Sequence, residues 1–230
     1  MNKIKNKILN DNKYKKLLYN SIPIEIVDPT PQSVDFNKVM TKVEEIVPYE
    51  LFSGQVKKFI FGNFDFFKKR DYNAFYDNNN KLIYIRSEQQ DDNIDLFDDL
   101  VHEISHAVEN KYNAHIFSDG KLKAEFLHKR LKLRYSLGLQ YQGLIPSDKF
   151  LLTTFDKELD DLFHKKLGYQ RMKKYVKDLF PSAYAPTSVY EYWAEGFEKY
   201  CLGEKQELKN ICPQLFNKID DLFKGVTNEN

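Results

Sequence analysis

Two histidines with a glutamate between them, in His102-Glu103-Ile104-Ser105-His106, carry the plainest chemical meaning in this sequence. On an α-helix, positions i and i+4 lie one above the other on a single face, so both imidazoles can reach one metal ion. Glu103 projects beside them, where a carboxylate can contact a metal-bound water and take its proton. Zinc suits the arrangement: it lowers the pKa of such a water towards neutrality and polarises a peptide carbonyl as a Lewis acid. The competing reading is a pair of surface histidines on a charged helix. The setting favours the metal, because two of the chain's five histidines fall in this one amphipathic stretch.

A hydrolytic zinc site takes a third protein ligand and leaves a fourth position for water. A histidine six residues after His106, with glycine at the third, would define one pattern, but those positions hold Tyr112 and Glu109. His115 fits no ligand spacing and follows Asn113, a helix-stop residue. Glu125 lies at a distance used by some metalloproteases, yet Lys129 stands where that pattern wants an aspartate, and helical charge pairing within a basic stretch accounts for it. Glu191 is the better candidate. Glu191 and Glu195 share one face of an aromatic helix, and buried carboxylates are costly unless paired or metal-bound. A capping box from Ser188 to Glu191 would explain Glu191 without metal, whereas Thr187 as the cap would leave its carboxylate for the ion.

These side chains need elements to hold them. Asp91–Asn110 reads as the clearest helix, with Asp92 or Asn93 as cap, acidic residues near its start, and Phe97, Leu100, Val101, Ile104, Ala107 and Val108 on a broad apolar face. Before it, the pattern gives an amphipathic helix over 3–19 and an extended stretch punctuated by Pro23, Pro29 and Pro31. A helix from Ser33 to before Pro48 follows, then a strand within 55–65 and two short strands, Ala74–Tyr76 and Leu82–Ile85, joined by Asp77-Asn78-Asn79-Asn80. After it come a basic helix over 121–134, one or two amphipathic helices over 148–180, a helix from Thr187 to about Leu202, and another over 213–224. The order is that of an α+β fold with a small mixed or antiparallel sheet.

The 230 residues suit a single domain, and a near-neutral net charge of +1 argues against a global nucleic-acid or membrane binder. Two cysteines, Cys201 and Cys212, are too few for a disulfide framework. No run of apolar residues reaches the length of a membrane span. The basic N-terminus lacks the apolar core of a secretory signal, so the expected location is the cytoplasm or one reached by signal-independent export.

HEISHAVE followed by YAPTSVYEYWAEGF resembles the catalytic domain of anthrax lethal factor and the related Pro-Pro endopeptidases of clostridia. The likeness is firm over about 95–110 and 184–200 and looser over 74–86. It implies a zincin-like domain binding one Zn2+ per chain through His102, His106 and Glu191, with Glu103 as general base. It further implies that Tyr184 stabilises the oxyanion and that Glu195 orients a ligand histidine. The implied layout is an N-terminal lobe of about 1–112, a helical insertion over about 114–182 and a ligand helix over about 187–202. The interval between His106 and Glu191 is longer than in those relatives, so their substrate preferences do not transfer. In the zincin fold an edge strand pairs with an extended peptide substrate, and Leu82, Ile83, Tyr84 and Ile85 are the expected strand. The basic positions Lys121, Lys123, Lys129, Arg130, Lys132 and Arg134 read as a solvated helix face or a docking face for an acidic partner. The expected activity is that of a zinc endopeptidase, with toxin biology suggested only by family company. The alternatives are a regulatory metalloprotease of the ImmA/IrrE type, where Glu191, Ala194 and Phe197 satisfy the helix motif loosely, and a zincin-shaped binding module without catalysis.

Overall fold

A computed structural model describes residues 16–18, 21–70, 72–138, 141 and 143–228. The chain is α+β and divides into two compact units, Met1–Lys111 and Tyr112–Asn230. Among the described residues, no helix is long and apolar enough to cross a membrane.

The first unit is built on a five-stranded mixed sheet: β1 (Lys16–Leu18), β2 (Ile22–Ile26), β3 (Lys58–Gly62), β4 (Ala74–Asp77) and β5 (Leu82–Arg86), in the order β1-β2-β3-β5-β4. β2, β3 and β5 run parallel, while β1 and β4 pair antiparallel with their neighbours. Two-residue alternation sends Phe59 and Phe61 of β3, and their register partners Ile83 and Ile85 of β5, into full burial. They share the core with Val39, Met40 and Val43 of α1 (Phe36–Ile46) and with Leu96, Phe97, Leu100, Val101 and Ile104 of α4 (Asn93–Phe117). Two short helices, α2 (Tyr49–Phe52) and α3 (Asp65–Arg70), complete the unit. The β4–β5 turn forms as its residues predict. The Asp77 carboxylate accepts from the backbone N–H groups of Asn79 and Asn80 at 3.0 and 3.2 Å, and Lys81 takes φ 59°.

Two expectations fail here. Where the proposed helix over 3–19 is described, at Lys16–Leu18, the chain forms strand β1 instead, because pairing with β2 satisfies its backbone; the remainder lies outside the described residues. The second failure concerns Leu82–Ile85, which is not an edge strand. β5 is paired on both sides, Ile83 and Ile85 are 0% exposed, and the Tyr84 ring is covered edge-on by Phe64 and Phe66 at 5.7 and 5.5 Å. Leu82, Ile83, Tyr84 and Ile85 are therefore not available to an incoming peptide, and the outer strand of this hairpin is β4.

The second unit is helical: α5 (Lys121–Ser136), α6 (Lys157–Asp160), α7 (Tyr169–Val176), α8 (Val189–Cys201), α9 (Lys205–Ile211) and α10 (Pro213–Asn228). Phe126, Phe180 and Tyr192 meet pairwise at 5.6–6.2 Å at its centre. Gly196 lets α8 and α10 approach closely, since a Cβ there would collide with the Leu215 side chain. The expected helices over 148–180 are broken into pieces. A 3-10 turn at Ser147–Leu151 precedes α6, which Asp156 caps by accepting from the N–H groups of Glu158 and Leu159 at 3.0 Å. A π-helical stretch, Asp161–Gly168, then leads into α7, and Gly168 (φ +81°) breaks the helical course.

The basic stretch of α5 is not a single solvent face either. Arg130 is 0% exposed and Lys129 is buried as well. Lys129 donates to the Ile211 carbonyl, while Arg130 donates to the carbonyls of Leu152 and, at 3.2 Å, Thr187. Both read as surface positions because charge in a sequence gives no sign of which backbone carbonyls need a donor.

Candidate metal centre

α4 is prepared at its start by Asp92, whose carboxylate accepts from the N–H groups of Ile94 and Asp95 at 2.6 and 3.1 Å. The helical repeat then places His102 and His106 on one face, with ring centroids 5.1 Å apart and planes at 77°. Both rings are part-exposed, whereas Glu103 beside them is only 7% exposed. His106 Nδ1 faces a Glu109 carboxylate oxygen at 3.5 Å. A carboxylate on that nitrogen favours the tautomer that carries its proton at Nδ1 and leaves Nε2 as the coordinating lone pair.

α8 begins at Ser188, whose hydroxyl accepts from the backbone N–H of Glu191 at 3.1 Å. Ser188 rather than Thr187 is thus the cap, and the backbone of Glu191 completes the helix start. Glu191 and Glu195 are half-buried at i and i+4, on a helix that buries Tyr192, Trp193, Ala194 and Phe197.

His102, His106 and Glu191 form one group that could hold a metal ion, their ligand atoms all lying within 4.8 Å of one another. Two imidazole nitrogens and a carboxylate oxygen suit zinc and other first-row divalent ions, and three protein donors leave a position open. Mg2+ and Ca2+ prefer oxygen-only shells, so the donor set fits them poorly. A second group, His102 with Glu195 and Glu198, meets the same distance limit.

Glu125 is occupied otherwise. Its oxygens accept from the N–H groups of Gln214 and Leu215 at 2.9 and 3.1 Å, capping α10, and from the Tyr192 hydroxyl at 2.8 Å. Tyr184 precedes a 3-10 turn, Ala185–Thr187, and its carbonyl accepts from the Thr187 hydroxyl at 2.8 Å. Its ring lies beside His164, centroids 5.5 Å apart. His164 Nε2 is 3.6 Å from Asp160, and burial holds the imidazole below its ordinary pKa against the pull of that carboxylate.

Three residues escaped the sequence reading: Glu109, Glu198 and His164. The i+3 spacing of Glu109 from His106 was a signal, and so was that of Glu198 from Glu195. His164 had none, because its partner Tyr184 is distant in sequence. Leu82–Ile85 contribute nothing to this group. Comparison of the chain with protein-family models, with curated proteins and with solved structures finds no match.

Proposed function

We propose that this chain is a zinc-dependent endopeptidase resembling the lethal factor catalytic domain. The observation that carries the reading is the His102–His106–Glu191 group, because its donor set is the one a catalytic zinc site needs. A zinc ion held there would supply Lewis acidity and acidify a water molecule. Glu103, largely buried one position from His102, would take the proton of the attacking water and pass it to the leaving amine. Glu109 and Glu195 would hold the two imidazoles in the coordinating tautomer and orientation. Tyr184, by resemblance, would donate its phenol to the developing oxyanion. Extended substrate would pair with β4, the outer strand of the β4–β5 hairpin, in place of β5.

Metal analysis together with peptide-library cleavage tests the reading. Purified wild-type protein should carry about one zinc per chain and cut a subset of peptides. Glu103→Gln should retain the zinc and lose turnover by at least roughly a thousand-fold, since both proton transfers pass through that carboxylate. Turnover surviving in Glu103→Gln, or a wild type that takes up no zinc, would sink it.

A further inference from the structure

Between Asp161 and Asp178 the chain carries Lys165, Lys166, Arg171, Lys173, Lys174 and Lys177 and no acidic residue, within a protein whose net charge is only +1. All six are exposed on the π-helical stretch and on α7 and the residue after it. Lys165 is paired with Asp161 at 2.7 Å. Among the described residues, the other five make no ion pair with a carboxylate. Elsewhere in this unit some lysines are paired with carboxylates, while others lie over aromatic rings, as Lys123, Lys205 and Lys209 do. Lys149 pairs with Asp156 and Glu158, Lys199 with Glu204 and Glu207, and Lys218 with Asp119, all at 2.6–3.2 Å.

α7 stands between two hollows. One, of about 280 Å³, is lined by Lys173, Lys177, Tyr169, Phe180, Ser182 and Glu207. Glu207 shares Lys199 with Glu204, and the two lysines outnumber the one acid of this hollow. The other, of about 480 Å³, holds Lys174 and Lys132 with Tyr135 and Tyr175, and one acid, Asp178. The first hollow reaches the Tyr184 segment directly: its Ser182 hydroxyl accepts from the N–H groups of Tyr184 and Ala185 at 3.1 Å.

We infer that α7 is a docking ridge for an acidic segment of the polypeptide substrate, whose Asp and Glu side chains enter the two hollows. A solvated face explains exposed lysines, but not six basic residues in one stretch with no acid among them, set between two hollows. Nucleic acid fits less well. The near-neutral protein lacks the broad positive field that steers a phosphate backbone. The word substrate rests on the proteolytic reading above; the binding itself does not.

The test uses full-length Glu103→Gln protein and a fluorescein-labelled decapeptide of alternating Glu and Asp, followed by anisotropy. The peptide should bind, and raising salt from about 50 to about 500 mM should weaken it roughly ten-fold or more. The exposed pair Lys173→Glu/Lys177→Glu should weaken binding roughly ten-fold, as should Lys132→Glu/Lys174→Glu. Lys38→Glu/Lys57→Glu changes net charge equally on the first unit and should leave affinity within about two-fold. Equal weakening by that control, or tighter binding of duplex DNA or phosphatidylserine vesicles at the same salt, would overturn the inference. Binding that follows this pattern while wild-type protein cuts no peptide with acidic flanks would uphold the ridge and refute the protease.

Discussion

Glu125 and Glu191 are both carboxylates downstream of the histidine pair, and their surroundings give them opposite roles. Glu125 uses both oxygens on two backbone N–H groups and one phenol. Glu125→Ala should cost about 1–2 kcal/mol of stability in urea unfolding and leave zinc content unchanged. On the proposed reading Glu191→Ala should do the reverse, with little change in the unfolding midpoint of the metal-free protein and loss of nearly all zinc that the wild type takes up. His164 supplies a pH test. Its folded-state pKa lies below the ordinary 6.5, so the unfolded chain binds the proton more readily. Stability present above about pH 6.5 is therefore lost as the pH falls from there through the folded value. Burial raises the Asp160 carboxylate beside it above the ordinary 3.8, against the pull of His164. His164→Phe keeps a ring against Tyr184 and should flatten the midpoint profile just below pH 6.5. An unchanged profile would place the proton elsewhere.

Arg130 works between elements. From α5 it reaches the carbonyls of Leu152 and Thr187, and the Val189 N–H donates to Thr153 at 2.8 Å, so one buried cation anchors the strap that precedes α8. Arg130→Ala should cost about 3 kcal/mol in urea unfolding, because two carbonyl acceptors, that of Thr187 buried, lose their donor and a large side chain leaves the core. Arg130→Lys should recover only part, since an ammonium cannot span both carbonyls. Burial also explains why the guanidinium pKa falls to about 10. Such long-range ties separate what the sequence revealed from what it hid. α1, the β4–β5 hairpin, α4, α5 and α8 were legible because Val39 and Val43, Asp77 to Asn80, and Ile104 to Val108 write their periods and turns locally. β1, the order of strands in the sheet and the broken course from Ser147 to Val176 were not, since pairing and Arg130-type anchoring depend on distant residues. The histidine pair was legible as a candidate through helical spacing, Glu191 needed the family resemblance beside its spacing, and the role of Glu125 needed its α10 partners to be seen.

At the scale of the chain, both cysteines belong to the core. Cys201 is 6% exposed with its thiol pushed far up by burial, and the Cys212 thiol is raised to about 11. Little thiolate exists at pH 8, so Ellman's reagent should modify neither in the native protein within minutes and both in denaturing urea. Fast modification in native buffer would contradict that burial. A kinetic consequence follows from the position of Glu191, three residues past Ser188 and so inside the opening turn of α8. Opening turns unravel sooner and more often than helix interiors. On the proposed reading, the dwell time of a bound ion is then governed by how often that one turn melts, an event far more frequent than global denaturation. Ser188→Ala would shorten ion residence while leaving every donor atom in place.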